Sequence, residues 1–154
     1  MRKSLYIGYK GRLEAYIYIW FSKKNALVYV GETNNINGVI GRANQHVMRD
    51  SGTLYSRLYN KGYNLDDIDD FVLLSYPLPR EKRFLSEETS YRITVEYLVQ
   101  SRLIECRKDC DVPYKLISNV VPGSHTNLLK MKKIANEIAM DFLCIYNEEQ
   151  KKIE

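Results

Sequence analysis

The stretch Tyr16–Asn35, "YIYIWFSKKNALVYVGETNN", decides the fold of this 154-residue chain. Two segments rich in β-branched and aromatic residues flank the polar sequence "SKKN", and this pattern predicts a β-hairpin. A hairpin alone needs neither the three tyrosines Tyr16, Tyr18 and Tyr29 nor a glycine, Gly31, directly after the second strand. We therefore expect this hairpin to carry functional residues as well as structural ones.

The composition predicts a single globular domain that spans residues 1–154. Apolar residues make up 45% of the chain, which is enough for a core without disulfides. No apolar run reaches the ~18 residues that a membrane span requires, and the basic start of the chain lacks a signal-peptide stretch. The three cysteines, Cys106, Cys110 and Cys144, lack metal-binding spacing, so we expect reduced thiols in a cytoplasmic protein.

The distribution of charge favours a polyanionic partner more than the total charge does. The net charge is only +4, but basic residues gather before the second strand, and an acidic run, "NLDDIDDF", lies at 64–71. A basic segment of this kind is typical of contact with nucleic-acid phosphates. Its members are Arg2, Lys3, Lys10, Arg12, Lys23 and Lys24.

The remaining sequence predicts an α/β order of elements. The apolar run within 69–78 is expected to be a third, central strand. Ser86 is expected to cap a long helix, and Val39, Ala43 and Val47 to share the inner face of an earlier one. Helices are predicted at 38–50, 53–62, 86–106 and about 125–147.

Five polar residues in this order suit the hydrolysis of a phosphodiester. Tyr18 and Tyr29 occupy corresponding places in the two strands, and Arg42 and His46 share a helix face because they are four residues apart. Glu96 lies in the middle of the long helix. A carboxylate can hold a divalent metal, a guanidinium can stabilise the phosphorane, and a phenol or imidazole can take a proton from water.

These motifs resemble those of the GIY-YIG nucleases. "YIYIW" resembles the first strand motif of that family and "VYVG" the second, and "VGETNN" followed by "GRANQH" resembles its glycine, polar loop, arginine and histidine. Glu96 in "TVEYLV" and Asn119 in "KLISNV" resemble its glutamate and asparagine. The resemblance covers about residues 14–120 and implies a small three-stranded antiparallel sheet flanked by helices, with the C-terminal helix as an addition.

The resemblance implies a metal-dependent DNA endonuclease. Glu96 would hold Mg²⁺ or Mn²⁺, Arg42 would bind the non-bridging oxygens, and Tyr29 would contact the nucleophilic water with Tyr18 beside it. His46 could accept the proton of Tyr29, so the identity of the general base stays open among Tyr18, Tyr29 and His46. Contacts to the substrate are expected from Lys23, Lys24, Gly31 and Thr33.

The chain departs from the family pattern at four places, one of which is a loop between Gly31 and Arg42 that is a few residues longer. Tyr16 stands where the first motif usually has glycine. Glu32 follows the motif glycine where some relatives carry a catalytic lysine, which shifts more of the electrostatic work to Arg42 and the metal. The long gap between Glu96 and Asn119 makes Asn127 an alternative for the asparagine.

Other interpretations of the same residues remain open. The tyrosines could be ordinary strand residues, and Glu96 could simply pair with Arg92 one turn before it. The fold could serve as a nucleic-acid-binding module without cleavage, or as a protein-interaction domain that uses its acidic surface. A core of this size could recognise branched DNA, or act as a homodimer that cuts both strands.

Overall fold

A computed structural model describes residues 14–48 and 51–152. The predicted hairpin is confirmed: strands β1 (Tyr16–Ser22) and β2 (Leu27–Thr33) pair in antiparallel fashion. The register places Tyr18 opposite Gly31 and Trp20 opposite Tyr29. Four of the basic residues noted in the sequence, Arg2, Lys3, Lys10 and Arg12, lie outside the described residues.

The sheet has four strands rather than the three expected, in the order β3-β1-β2-β4. Strand β3 (Phe71–Pro77) pairs antiparallel with β1, and the two-residue strand β4 (Lys115–Leu116) pairs parallel with β2. The expectation that β3 is central is therefore wrong. Its apolar run has another cause: Leu74 and Tyr76 enter the core on one face of the sheet while Phe71 and Leu73 pack on the other.

Five helices complete the α+β fold in the described ranges, and the predicted fold class is confirmed. None of them combines the length and the apolar character needed to cross a bilayer. The prediction that residues 1–154 form one domain stays a prediction. The helices are α1 (Gly38–Val47), α2 (Thr53–Asn60), α3 (Lys82–Leu85), α4 (Ser90–Cys106) and α5 (Leu129–Gln150).

Two details of the helix predictions are wrong. Val47 is 41% exposed, whereas His46 is buried, because a residue two turns after Val39 returns to the same side of the helix and the next residue is already rotated away. Helix α4 begins at Ser90, not at Ser86, which instead ends α3. The backbone carbonyl of Ser86 accepts a hydrogen bond from Arg92, so this segment turns around a side chain of α4.

Each face of the sheet has its own core. Helices α4 and α5 cover one face, where Phe142 and Tyr146 pack on Phe21 of β1. Helices α1 and α2 lie on the other face, where Leu54 and Leu58 are buried together with tyrosines of the hairpin. Because every second residue of a strand points to the same face, the candidate site residues Tyr18 and Tyr29 lie under α1 and α2.

Candidate active site

Gly31 gives Tyr18 its place on the sheet. The two residues are directly opposite each other, and a Cβ atom added to Gly31 would lie 2.2 Å from Tyr18 Oη and 2.3 Å from Cζ. The phenol therefore lies flat across the backbone of β2 in the space that any other side chain would fill. Gly31 lies within β2, whereas the sequence predicts it directly after that strand, and the ring of Tyr18 requires a glycine there.

Gly31→Ala is expected to destabilise the fold by about 1–3 kcal/mol, since the added methyl group would displace a buried ring in a packed core. Urea unfolding of the two proteins measures this difference. In a Tyr18→Ala background the methyl group would meet empty space, so most of the cost should disappear. An equal cost in both backgrounds would show that the ring of Tyr18 is not what Gly31 accommodates.

Tyr18, Tyr29 and His46 form one aromatic cluster. Tyr18 Oη lies 2.5 Å from His46 Nε2, the Tyr18 and Tyr29 ring centroids are 6.4 Å apart, and that of His46 lies 5.2 and 5.3 Å from them. His46 is 1% exposed, and its Nδ1 atom has no hydrogen-bond partner within the described residues. The structure thus brings the predicted phenols and imidazole together, but the hydrogen bond of His46 is made to Tyr18 and not to Tyr29.

The protonation states of this cluster follow from its burial. Burial, with the nearby Arg42 charge, lowers the pKa of His46 to about 4, so the imidazole is neutral at pH 7. Burial raises the pKa of Tyr29 to about 12 and that of Tyr18 further, although the positive charge of Arg42 opposes both shifts. Both phenols therefore keep their protons, and His46 is the group able to accept one.

Arg42 lies one turn before His46 on α1, as the sequence predicted. It is partly exposed, and its Nη1 atom donates to Gln45 Oε1 at 2.9 Å. Its charge acts on Tyr18, Tyr29 and His46 together. Arg42 is therefore the cation at the solvent side of the cluster, where an incoming phosphate would meet it.

Glu96, on α4, is near enough to the same cluster for its charge to raise the pKa of Tyr18 and of Tyr29. Burial first, and the Glu32 carboxylate second, raise the pKa of Glu96 to about 8. Gln100, one turn later, donates from Nε2 to Glu96 Oε1 at 3.1 Å and to the backbone carbonyl of Asn119 at 3.3 Å. Gln100 was missed in the sequence, although its i+4 spacing from Glu96 was a usable signal.

Gln100 bears on the choice between the two candidate asparagines. Its hydrogen bond ties the backbone of Asn119 to the neighbourhood of Glu96, whereas no such tie is found for Asn127 among the described residues. Both asparagines are exposed. The backbone geometry therefore favours Asn119, and its role at the site stays a prediction.

Glu32 has a structural partner in place of the catalytic lysine of some relatives. Arg92, which is 2% exposed, donates from Nε to Glu32 Oε2 at 2.7 Å and from Nη1 to the carbonyls of Phe84 and Ser86. The alternative pairing of Arg92 with Glu96 is not what the structure shows. Arg92 instead joins β2, α3 and α4.

Of the predicted substrate-binding residues, Gly31 is buried under the ring of Tyr18, and the other three fall into two groups. Thr33, at the end of β2, lines a polar cleft beside Arg42 and accepts a hydrogen bond from the backbone N–H of Asn35 at 3.0 Å. Lys23 and Lys24 lie in the hairpin turn, where their ammonium groups are 3.8 Å from Glu149 and 2.7 Å from Asp69. The structure does not bring the two lysines to the cluster, and their contact with a substrate stays a prediction.

A divalent cation fits at Glu96. The buried carboxyl favours its neutral form, and a cation beside it would compensate the charge that burial makes unfavourable. Within the described residues no three metal-ligating side chains come together. A cation held here would therefore take most of its ligands from water and phosphate oxygens, as Mg²⁺ readily does.

The comparison with known families agrees with this arrangement. Residues 14–88 match the sequence model of the GIY-YIG catalytic domain. This segment is therefore assigned to the GIY-YIG catalytic domain, whose members are generally nucleases that use divalent metal ions. The match contains Tyr18, Tyr29, Arg42 and His46 and ends before α4. No curated protein and no solved structure matches the chain significantly.

Proposed function

We propose that this protein is a metal-dependent endonuclease that hydrolyses phosphodiester bonds of DNA, by nicking or by cleavage of both strands. The observation that carries the proposal is the contact of Tyr18 Oη with the neutral, buried His46, flanked by Tyr29 and Arg42. A hydroxyl beside an unprotonated imidazole can remove a proton from water. The match of residues 14–88 to the GIY-YIG catalytic domain supports a nucleic-acid substrate.

The magnitudes of the pKa shifts favour His46 as the final proton acceptor. With a pKa of about 12, formation of the Tyr29 phenolate at pH 7 costs roughly 7 kcal/mol. With a pKa of about 4, protonation of His46 at pH 7 costs roughly 4 kcal/mol. A negatively charged phosphate nearby lowers the cost of protonating His46, because it favours a cation. The same charge raises the cost of forming the Tyr29 phenolate.

Tyr18 acts as a relay in this mechanism. As the water oxygen attacks phosphorus, a water proton moves to Tyr18 Oη while the phenolic proton moves to His46 Nε2. Since the phenol gives and receives a proton in the same step, its raised pKa is not a barrier. The bond from phosphorus to the leaving oxygen breaks, and that oxygen takes a proton from solvent.

Arg42 and Glu96 would complete the site. The planar guanidinium of Arg42 suits two non-bridging oxygens at once, and its contact strengthens as negative charge develops in the transition state. Glu96, held by Gln100, would bind the divalent cation, either Mg²⁺ or Mn²⁺. When bound, such a cation stabilises negative charge on the phosphate and the leaving group.

A plasmid-nicking assay tests the proposed function directly. The protein is expected to convert supercoiled DNA to open-circular or linear DNA with Mg²⁺ or Mn²⁺, and to bind the DNA without cutting it in EDTA. Binding in EDTA without cleavage in either metal would indicate a non-cleaving module. Absence of binding as well would indicate a protein-interaction domain. A homodimer and a cytoplasmic location stay predictions.

A further inference from the structure

Helix α2 is fixed against the end of α1 that carries His46. The N–H of Gly52 donates to the carbonyl of Met48 at 2.7 Å, and a Cβ atom at Gly52 would lie 2.2 Å from the carbonyl oxygen of His46. Only glycine allows this close approach of two backbones. The start of α2 is therefore held at a defined position next to the aromatic cluster.

The other end of α2 is equally well defined. The N–H groups of Gly62 and Tyr63 donate to the carbonyls of Tyr59 and Leu58 at 3.0 Å each, and Gly62 has a φ of 81°. This is a Schellman C-cap, in which glycine tolerates the left-handed conformation. The predicted stop at Gly62 is confirmed, and α2 is a short rigid element with both ends fixed.

Arg57 lies at the edge of the buried face of this rigid helix. Leu54 and Leu58 are fully buried in the same cluster as Tyr18 and Tyr29, and Arg57 lies between them in sequence and is partly buried. Burial and Glu96 raise the pKa of Tyr29, whereas the charges of Arg42 and Arg57 lower it. The Arg57 guanidinium is thus close enough to Tyr29 for its charge to act on that phenol.

No carboxylate forms an ion pair with Arg42 or Arg57 in the described part of the chain. Neither Arg42 nor Arg57 has an acidic side chain within ion-pair distance there, whereas Arg80, Arg83, Arg92 and Arg102 each have one. Two guanidinium groups without an ion-pair partner in the described residues therefore lie near Tyr29. An anionic ligand that carries more than one negative charge would suit this arrangement.

We propose that Arg57 is a second phosphate-binding residue, which contacts the nucleic-acid backbone next to the phosphate that Arg42 holds. The inference rests on the proposed function, and it assigns to α2 a role in binding the substrate strand. Since consecutive phosphates of a strand are the charges available in such a ligand, one arginine serves the reacting phosphate and the other a neighbour. Arg57 then positions the strand and takes no part in proton transfer.

The test is the salt dependence of DNA binding in EDTA, measured by fluorescence anisotropy on a labelled duplex. Arg57→Gln is expected to lower the slope of log K against log salt by about 0.9, the value for one phosphate contact, and to weaken binding several-fold at moderate salt. Arg57→Lys should recover the slope, since it keeps the charge. In cleavage, KM should rise while the rate at saturating DNA stays within a few-fold.

Arg102→Gln is the matched control, because Arg102 is an arginine in a helix, is ion-paired with Glu105 and lies outside the cluster. Its slope should equal that of the unaltered protein, and thermal melts should show that both variants fold. An unchanged slope in Arg57→Gln overturns the inference. Because binding is read without metal, a reduced slope supports Arg57 even if the unaltered protein fails to cleave.

Discussion

Glu96→Gln is expected to abolish cleavage in Mg²⁺ and Mn²⁺ while the fold and DNA binding persist. The amide keeps the shape of the side chain, and its carbonyl oxygen can still accept the hydrogen bond from Gln100. It loses the negative charge that holds a hard cation. Single-turnover nicking, with anisotropy in EDTA and a thermal melt of the same preparation, separates these effects.

The direction of the change in stability caused by Glu96→Gln can be predicted. The pKa of Glu96 is raised to about 8 in the fold, so above the unfolded pKa the folded state holds this carboxyl less favourably than the unfolded chain does. Removal of the ionisable group should leave the melting temperature at pH 8 unchanged or raise it. Glu105→Gln, an exposed change on the same helix, is the control and should cleave normally. Near-normal nicking by Glu96→Gln would refute the metal-binding role.

Tyr18→Phe and His46→Ala are each expected to reduce the cleavage rate by about 10²–10⁴, the usual contribution of a general base. If the two residues act as one relay, the double variant should be scarcely slower than the slower single variant. Single-turnover rates at saturating DNA measure this, because they exclude differences in binding. Thermal melts accompany each variant, since Tyr18→Phe leaves Nε2 of His46 without its partner at a cost of about 1–3 kcal/mol.

Tyr29→Phe is the matched comparison for this relay. It deletes one hydroxyl from the neighbouring ring and leaves the Tyr18–His46 contact in place. We expect a smaller loss of rate than in Tyr18→Phe, with little change in melting temperature. The reverse order of the two losses would contradict the relay and return the role of base to Tyr29. Additive losses in Tyr18→Phe and His46→Ala would also contradict it.

The hairpin and the residues it carries could be predicted because their signals are local. Alternation in strands and spacing in helices depend on neighbours a few residues away. The same reasoning predicted burial of Val47 and missed that of His46. Val47 is more apolar, and its spacing of eight residues from Val39 fits an inner helix face as well as the spacing of seven for His46. The imidazole is buried because the hydroxyl of Tyr18 is there to meet it, and that contact joins two elements 28 residues apart.

The contacts that could not be predicted all depend on tertiary pairing. Glu32 and Arg92 are 60 residues apart, and nothing local marks either as the partner of the other. The short strand β4 was missed for a similar reason. Its two residues carry no pattern of their own and form a strand only because Leu27 and Val28 present an open edge. Long-range order of this kind follows from the assembled core and not from any one segment.

The ion pair of Arg92 with Glu32 joins two parts of the candidate site that are synthesised at different times, since Glu32 lies on β2 and Arg92 on α4. Strands β1 and β2 and helix α1 leave the ribosome first, and they carry Tyr18, Tyr29 and His46. Glu96, Gln100 and the guanidinium that neutralises Glu32 come later, on α4. A nascent chain that has reached only residue 88 therefore lacks both Glu96 and the partner of Glu32. Under the proposed function, hydrolytic competence would arise late, after the scaffold for it has been made.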